Sequence, residues 1–196
     1  MSGHSRRALL LVDLQNDFIH PRGAYARGGA AAEAIAELPS RLRPLVEAAR
    51  TARVPIVATT FTIVQTPDGP LIAEHLAKLR PFLASGDFAP GSWGQELVTP
   101  LAPADVTVEK VAYSAFHQSR LEFVLGRLGV TELMVAGIVT NGGVASTVRA
   151  AHVLDYTTVV VADGCAAFSD EAHDATIASL ATVSEITTIE DACASL

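Results

Sequence analysis

Leu9-Leu10-Leu11-Val12-Asp13-Leu14-Gln15-Asn16-Asp17-Phe18 is the stretch on which the fold turns. The apolar run from Ala8 to Val12 is too short for a buried helix and lacks the alternation of a strand with one wet face. A strand buried on both sides has this pattern, and a parallel sheet covered by helices requires it. Outward from it, similar runs occur at Pro55 to Thr60, Val106 to Lys110, Leu133 to Gly137, Thr158 to Ala162 and Glu185 to Thr188. Between them lie stretches with helical spacing: Ala31 to Arg53, with an interruption allowed for near Pro39, then Ser119 to Leu128, Gly142 to Leu154 and Asp170 to Thr182. Strand and helix alternate, so the expected class is α/β. The expected architecture is a single doubly wound parallel sheet of about six strands with helices on both faces and right-handed crossovers.

With 196 residues, 49% of them hydrophobic, the chain can bury one large core, and one domain over residues 1–196 is expected. The formal net charge of -7, with no run of basic residues, argues against a nucleic-acid partner. Cys165 and Cys193 are the only cysteines. So sparse a usage suits a reducing cytosol, with both thiols read as buried apolar groups. Behind Met1 to Arg7 the apolar run is too short for a signal-peptide core, and no segment approaches the roughly 20 apolar residues of a membrane span. A cytoplasmic protein without membrane contact is expected. Only Gln65 to Leu101 breaks the rhythm. It is rich in proline and glycine, and so long an excursion is more often a functional loop than a linker.

In an open parallel sheet, ligands bind beyond the carboxyl ends of the strands. Three places there hold reactive or anion-binding groups. Asp13 follows four buried-type residues, so its carboxylate is expected to be partly desolvated and usable in proton transfer near neutrality, although a turn-capping role fits the same position. Asp17 reads as the structural carboxylate of the pair. Lys110 ends the third strand, where its ammonium would hold an anion or stabilise developing negative charge; a solvated lysine would look alike from sequence. His117, soon after, reads as a packing residue. The fourth strand runs into Gly137-Ile138-Val139-Thr140-Asn141-Gly142-Gly143-Val144, a turn that would aim backbone N–H groups at an anion from a helix start. Each segment has an ordinary structural reading by itself.

Together and in this order the segments resemble the isochorismatase-like hydrolase superfamily over nearly the whole chain. The resemblance is carried by LLLVDLQNDF, by Tyr113-Ser114-Ala115-Phe116-His117 with Ser119 and Leu121-Glu122, and by Asp163 to Phe168 with Ser169 and His173. It implies a strand order of 3-2-1-4-5-6, a catalytic set of Asp13, Lys110 and Gly143, and a cis peptide at Ile138-Val139. Most members carry a cysteine nucleophile where this chain has Gly143, and neither cysteine here matches that place, so a cysteine acyl-enzyme is not expected. Isochorismatases proper also have glycine there. In their chemistry the aspartate protonates an enol-ether methylene and water attacks the resulting oxocarbenium carbon. On that basis a glycine is expected to leave room for substrate.

The resemblance also places substrate contacts at Phe18, Gln65, Trp93 and Val139, with Arg80 a loose match to an arginine-bearing segment. No metal or other cofactor is expected, since Thr59 to Gly69 lacks an Asp-x-His metal segment. Because Lys110 would lower the pKa of an acid at Asp13, a carboxylate-bearing small molecule is favoured as substrate. The leading expectation is hydrolysis of such a substrate, an enol ether such as isochorismate. The alternatives are thiol-independent C–N hydrolysis of a small amide and a non-catalytic ligand-binding member. A homodimer or larger assembly is expected, with Gln65 to Leu101 or the helix after Gly143 at the interface, because Leu71, Ile72, Phe82, Leu83, Phe88 and Trp93 would otherwise enlarge an exposed apolar patch.

Overall fold

The computed structural model describes residues 6–196. The start of the segment read as carrying no targeting signal, and of the expected 1–196 domain, lies outside the described residues.

Strand β1 is Arg7–Val12, β2 Ile56–Phe61, β3 Val106–Lys110, β4 Glu132–Ile138, β5 Thr157–Ala166 and β6 Glu185–Thr187. All six are parallel and lie side by side as 3-2-1-4-5-6, the expected order. The unbroken apolar run of β1 is explained by its central place: Leu9 and Leu11 point into one core, while Ala8, Leu10 and Val12 point into the other. Helix α1 (Glu33–Ala52) and helix α5 (Ile189–Ala194) cover the first core. Helices α2 (Leu121–Leu128), α3 (Ala145–Val153) and α4 (Asp170–Leu180) cover the second.

Three elements differ from expectation. Helix α1 runs without interruption through both Pro39 and Pro44. An interior proline costs about 3 kcal/mol in a free helix. Here Ile35, Leu38, Leu42, Leu45 and Val46 are all buried on one face, and each such side chain contributes roughly 1.5 to 3 kcal/mol. The helix expected from Gly142 instead opens as a π-turn, Thr140–Val144, before α3 begins. Strand β5 continues to Ala166 rather than ending at Ala162. Its register against β4 jumps between Val135 and Gly137, so Val160 and Cys165 both pair while the residues between them bulge. Asp163 in that bulge accepts the N–H of Ile189 at the start of α5, which gives a strand-interior carboxylate its partner.

The excursion after β2 is partly structured, with a two-stranded hairpin (Gln65–Thr66 and Gly69–Pro70) and a short helix (Glu74–Leu79). It packs a small core of its own, in which Phe88 is fully buried with Tyr25 and Ile63, and Ile72, Phe82 and Leu83 lean on it. This corrects the exposed patch inferred from sequence. Of the residues named there, Leu71 (64% exposed) and Trp93 (40%) stay on the surface, because the others have the loop's own interior to fill. Among the described residues no helix is long and apolar enough to cross a membrane.

Candidate active site

Register brings the site together. Val12 pairs with Thr59 on one side and Gly137 on the other, so the chain leaves β1 between the ends of β2 and β4. Lys110 pairs with Phe61 at the end of β3. Gly137 lets β1 and β4 approach at this point: its φ is +135°, and a Cβ on it would overlap the Val12 carbonyl. Asp13 itself is left-handed, φ 56°, a conformation that aspartate tolerates better than most residues. That turn swings its carboxylate across toward β3.

The carboxylate meets the lysine. Lys110 Nζ lies 2.6 Å from Asp13 Oδ2, with side-chain exposures of 1% and 7%. Thr59 donates its hydroxyl to Asp13 Oδ1 at 3.3 Å, and the ammonium donates to the Ala112 carbonyl at 2.9 Å. The ring of Phe61 lies 5.6 Å from the ammonium. Burial holds the Asp13 carboxyl above its ordinary range, and the attraction of Lys110 opposes that shift without cancelling it.

The turn closes the third side. A Cβ built on Gly143 would stand 2.9 Å from the Ile138 carbonyl oxygen, 3.1 Å from Asp13 Oδ2 and 3.2 Å from Val12 Cγ1. Asp13, Lys110 and Gly143, each from a different strand end, therefore converge. The room expected beside the glycine is not open, however. Its first ångströms are already filled by the Asp13 carboxylate and a backbone carbonyl that cannot swing away. The expected cis peptide is present at Ile138-Val139.

The expected substrate contacts divide. Phe18 belongs to an aromatic group with Tyr25, Phe61 and Phe88, at centroid distances of 4.8, 6.3 and 4.5 Å, and this group reaches Lys110 through Phe61. Val139 is half-buried against the first core and crowds Gly142. Gln65 uses its amide on the loop itself, donating to the Ile63 carbonyl at 3.0 Å and accepting from Gly86 N–H at 3.3 Å. Trp93 packs on the surface with the His20 ring and the Arg22 guanidinium rather than with Asp13. The reason is local: Asn16 donates to the Trp93 carbonyl at 2.8 Å and fixes that segment. Asp17 is structural, as read, accepting the backbone N–H of Ala24 at 3.0 Å and of Phe88 at 2.7 Å.

Sequence reasoning gave no role to Tyr25 and only a loose match to Arg80. Tyr25 is buried, feels the charge of Asp13, and receives a hydrogen bond from Arg80 Nε at 3.3 Å; burial raises its phenol pKa. Its ring stacks on Phe168 at 5.7 Å, and the Arg80 guanidinium lies 6.0 and 5.9 Å from the two rings. No motif announces this cluster, because its members come from three distant segments. Neither cysteine suits nucleophilic work: Cys165 is buried with its thiol pushed up to about 12, and burial also raises Cys193. Among the described residues no three His, Cys, Asp or Glu side chains gather as a metal site. A depression of about 410 Å³ lined by Thr60, Gln95, Glu109 and Arg120 is separate from this site, since Thr60 and Thr59 point to opposite faces of β2.

The isochorismatase domain family matches residues 7–191, which include every group of this site. The chain belongs to the isochorismatase family. It is a hydrolase of that family, on the expected fold. It is 32% identical over 171 residues to the ureidoacrylate amidohydrolase RutB of Stutzerimonas stutzeri, covering 81% of this chain and 69% of that protein. A second ureidoacrylate amidohydrolase RutB, from Methylobacterium radiotolerans, is 30% identical over 201 residues, covering 94% and 78%. Among solved structures, a cysteine hydrolase from Pseudomonas syringae pv. phaseolicola superposes with a TM-score of 0.83 at 25% identity, covering 98% of this chain and 97% of the other.

Proposed function

We propose that this hydrolase cleaves the C–N bond of a small amide or ureide bearing a carboxylate, by a route that uses no thiol. The observation that carries the proposal is the buried Asp13–Lys110 pair set against a glycine, with the Asp13 carboxyl held above its usual pKa. The relatives named as amidohydrolases favour the C–N bond over the enol ether expected from sequence.

In the proposed reaction Asp13, as carboxylate, takes a proton from a water that attacks the carbonyl carbon. The oxygen gains negative charge near Lys110 and the backbone N–H of Gly143. Gly142 and Val144 both donate to the Val139 carbonyl, at 2.9 and 3.3 Å, so the amide between them is the one assigned to the ligand. As the intermediate collapses, Asp13 returns the proton to the leaving nitrogen and the C–N bond breaks, giving an acid and an amine. A carboxyl of raised pKa suits both proton steps near neutrality. Arg80 supports an anionic substrate, for among the described residues it lies over two rings and has no carboxylate partner.

Gly143 favours a second reading, enol-ether hydrolysis with Asp13 as the acid, since no nucleophilic side chain is required there. The test is a hydrolysis screen of ureidoacrylate, other small amides, isochorismate and related enol ethers, with Asp13→Ala as the blank. Turnover of an amide that Asp13→Ala loses and Arg80→Ala shifts to higher KM is the expected result. Turnover of enol ethers alone would replace the first reading by the second, and activity surviving in Asp13→Ala would remove both.

A further inference from the structure

Thr140 opens the π-turn that carries Gly142 and Gly143, and it is fully buried. Its hydroxyl bonds Nδ1 of His173 at 2.9 Å. His173 lies in the first turns of α4, far from Thr140 in sequence and outside the Asp13–Lys110 pair. We infer that His173 is a positioning residue: through Thr140 it holds the glycine turn at its distance from Asp13. The inference rests on the reading of Asp13, Lys110 and Gly143 as the working groups.

The way α4 is held makes this bond more than the satisfaction of a stray hydroxyl. Helix α4 is an outer helix whose one buried residue, Leu180, is at its far end, so apolar packing does not fix the half that carries His173. That far end is also tied to α3, where Arg149 donates to Ser179 at 2.8 Å. At the near end the helix start is set by its Ser169 cap, which accepts from Ala172 N–H. Phe168, immediately before the cap, stacks on Tyr25 at the rim of the site. The Thr140–His173 bond therefore joins the floor of the site, the glycine turn, to the segment that places its aromatic wall. The turn lies close against the carboxylate, since a Cβ built on Gly143 would stand 3.1 Å from Asp13 Oδ2. A small rotation of the turn changes the geometry at the carboxylate, and misplacement of this kind acts on the chemical step.

The test uses Thr140→Val, His173→Leu, their double variant, and the conservative Thr140→Ser and His173→Asn; the short amide of asparagine reaches the place of Nδ1 and can donate or accept there. With ureidoacrylate and isochorismate as probes, each disruptive single is expected to lower kcat about tenfold with KM within about twofold. The double is expected to be no worse than the poorer single, and the two conservative variants to keep most of the rate. In parallel, the backbone amide NMR signals of Gly142 and Gly143 are followed in isotope-labelled protein, which needs no substrate. They are expected to move in His173→Leu and Thr140→Val and to hold in His173→Asn. Unmoved glycine signals in His173→Leu, or losses that add in the double variant, would overturn the inference. A wild type inactive on both probes would sink the functional reading, and the glycine signals would still decide the positioning. Should Thr140→Val not fold, the His173 pair carries the comparison.

Discussion

Breaking the Asp13–Lys110 pair from either side should destabilise the protein by similar amounts with opposite pH dependence. The two charges sit 2.6 Å apart with almost no exposure, so neither can be left behind as an ion at low cost. Lys110→Met strands the carboxylate with Thr59 as its remaining side-chain donor at 3.3 Å. The protein's escape is to protonate Asp13, and for a carboxyl of ordinary pKa near 4 that costs about 4 kcal/mol at pH 7. Asp13→Asn strands the ammonium, whose escape is to lose a proton, at about 4 to 5 kcal/mol from an ordinary pKa near 10.4. Single removals are therefore expected to cost about 3 to 5 kcal/mol, and the double variant Asp13→Asn/Lys110→Met far less than their sum.

The signs follow from the protons. In Lys110→Met the folded state holds a proton the unfolded state lacks, so its deficit shrinks as pH falls from 7 toward 5. In Asp13→Asn the folded state has lost a proton, so its deficit shrinks as pH rises toward 9. In the parent protein the raised Asp13 pKa works in the acid direction: its contribution is full below the unfolded value of 3.8 and fades as pH rises through the folded value. Urea unfolding of the four proteins at three pH values makes the measurement. Single variants within about 1 kcal/mol of the parent, deficits that ignore pH, or a double variant at the full sum would refute the picture of a dry, mutually dependent pair.

Gly143→Ala should cost about 1 to 3 kcal/mol of stability and most of the turnover, because its Cβ is 2.9 Å from a backbone oxygen and 3.1 Å from Asp13; thermal unfolding and the hydrolysis assay check both. Gly143→Cys is expected not to raise hydrolysis of enol ethers, and a gain on that substrate would show that the wall beside the glycine yields. Asp17→Ala should loosen the excursion after β2, since it leaves the N–H groups of Ala24 and Phe88 without their acceptor. The expected cost is about 1 to 3 kcal/mol per orphaned donor, with faster proteolysis around Ala24 and within residues 65–101 as the readout. The oligomer proposed from the family resemblance predicts a dimer or larger species in light scattering at micromolar concentration. Its interface cannot be the loop's buried Phe88, and Leu71, Leu79 and Trp93 are exposed apolar residues there to replace.

From the sequence alone came the sheet, its parallel sense and the positions of its main residues at strand ends. Ala8 to Val12 determines these because a run apolar on both faces has few places to go except the centre of a covered sheet. The same logic put Asp13 and Lys110 at carboxyl edges, and the glycines before Val144 at a strand-to-helix turn. What the sequence left open was decided by distances between segments far apart along the chain. Whether Asp13 caps a turn or pairs with Lys110 depends on its left-handed φ, which no pattern of neighbours specifies. Whether the excursion's aromatic residues are exposed depends on Tyr25 and Ile63 being there to receive them. Whether Gly143 leaves room depends on where a carboxylate from another strand comes to rest. Periodicity records which face of an element is dry, because burial acts on each residue in turn. It does not record which side chain lies across the gap, because that is set by register and packing between elements the local sequence never sees.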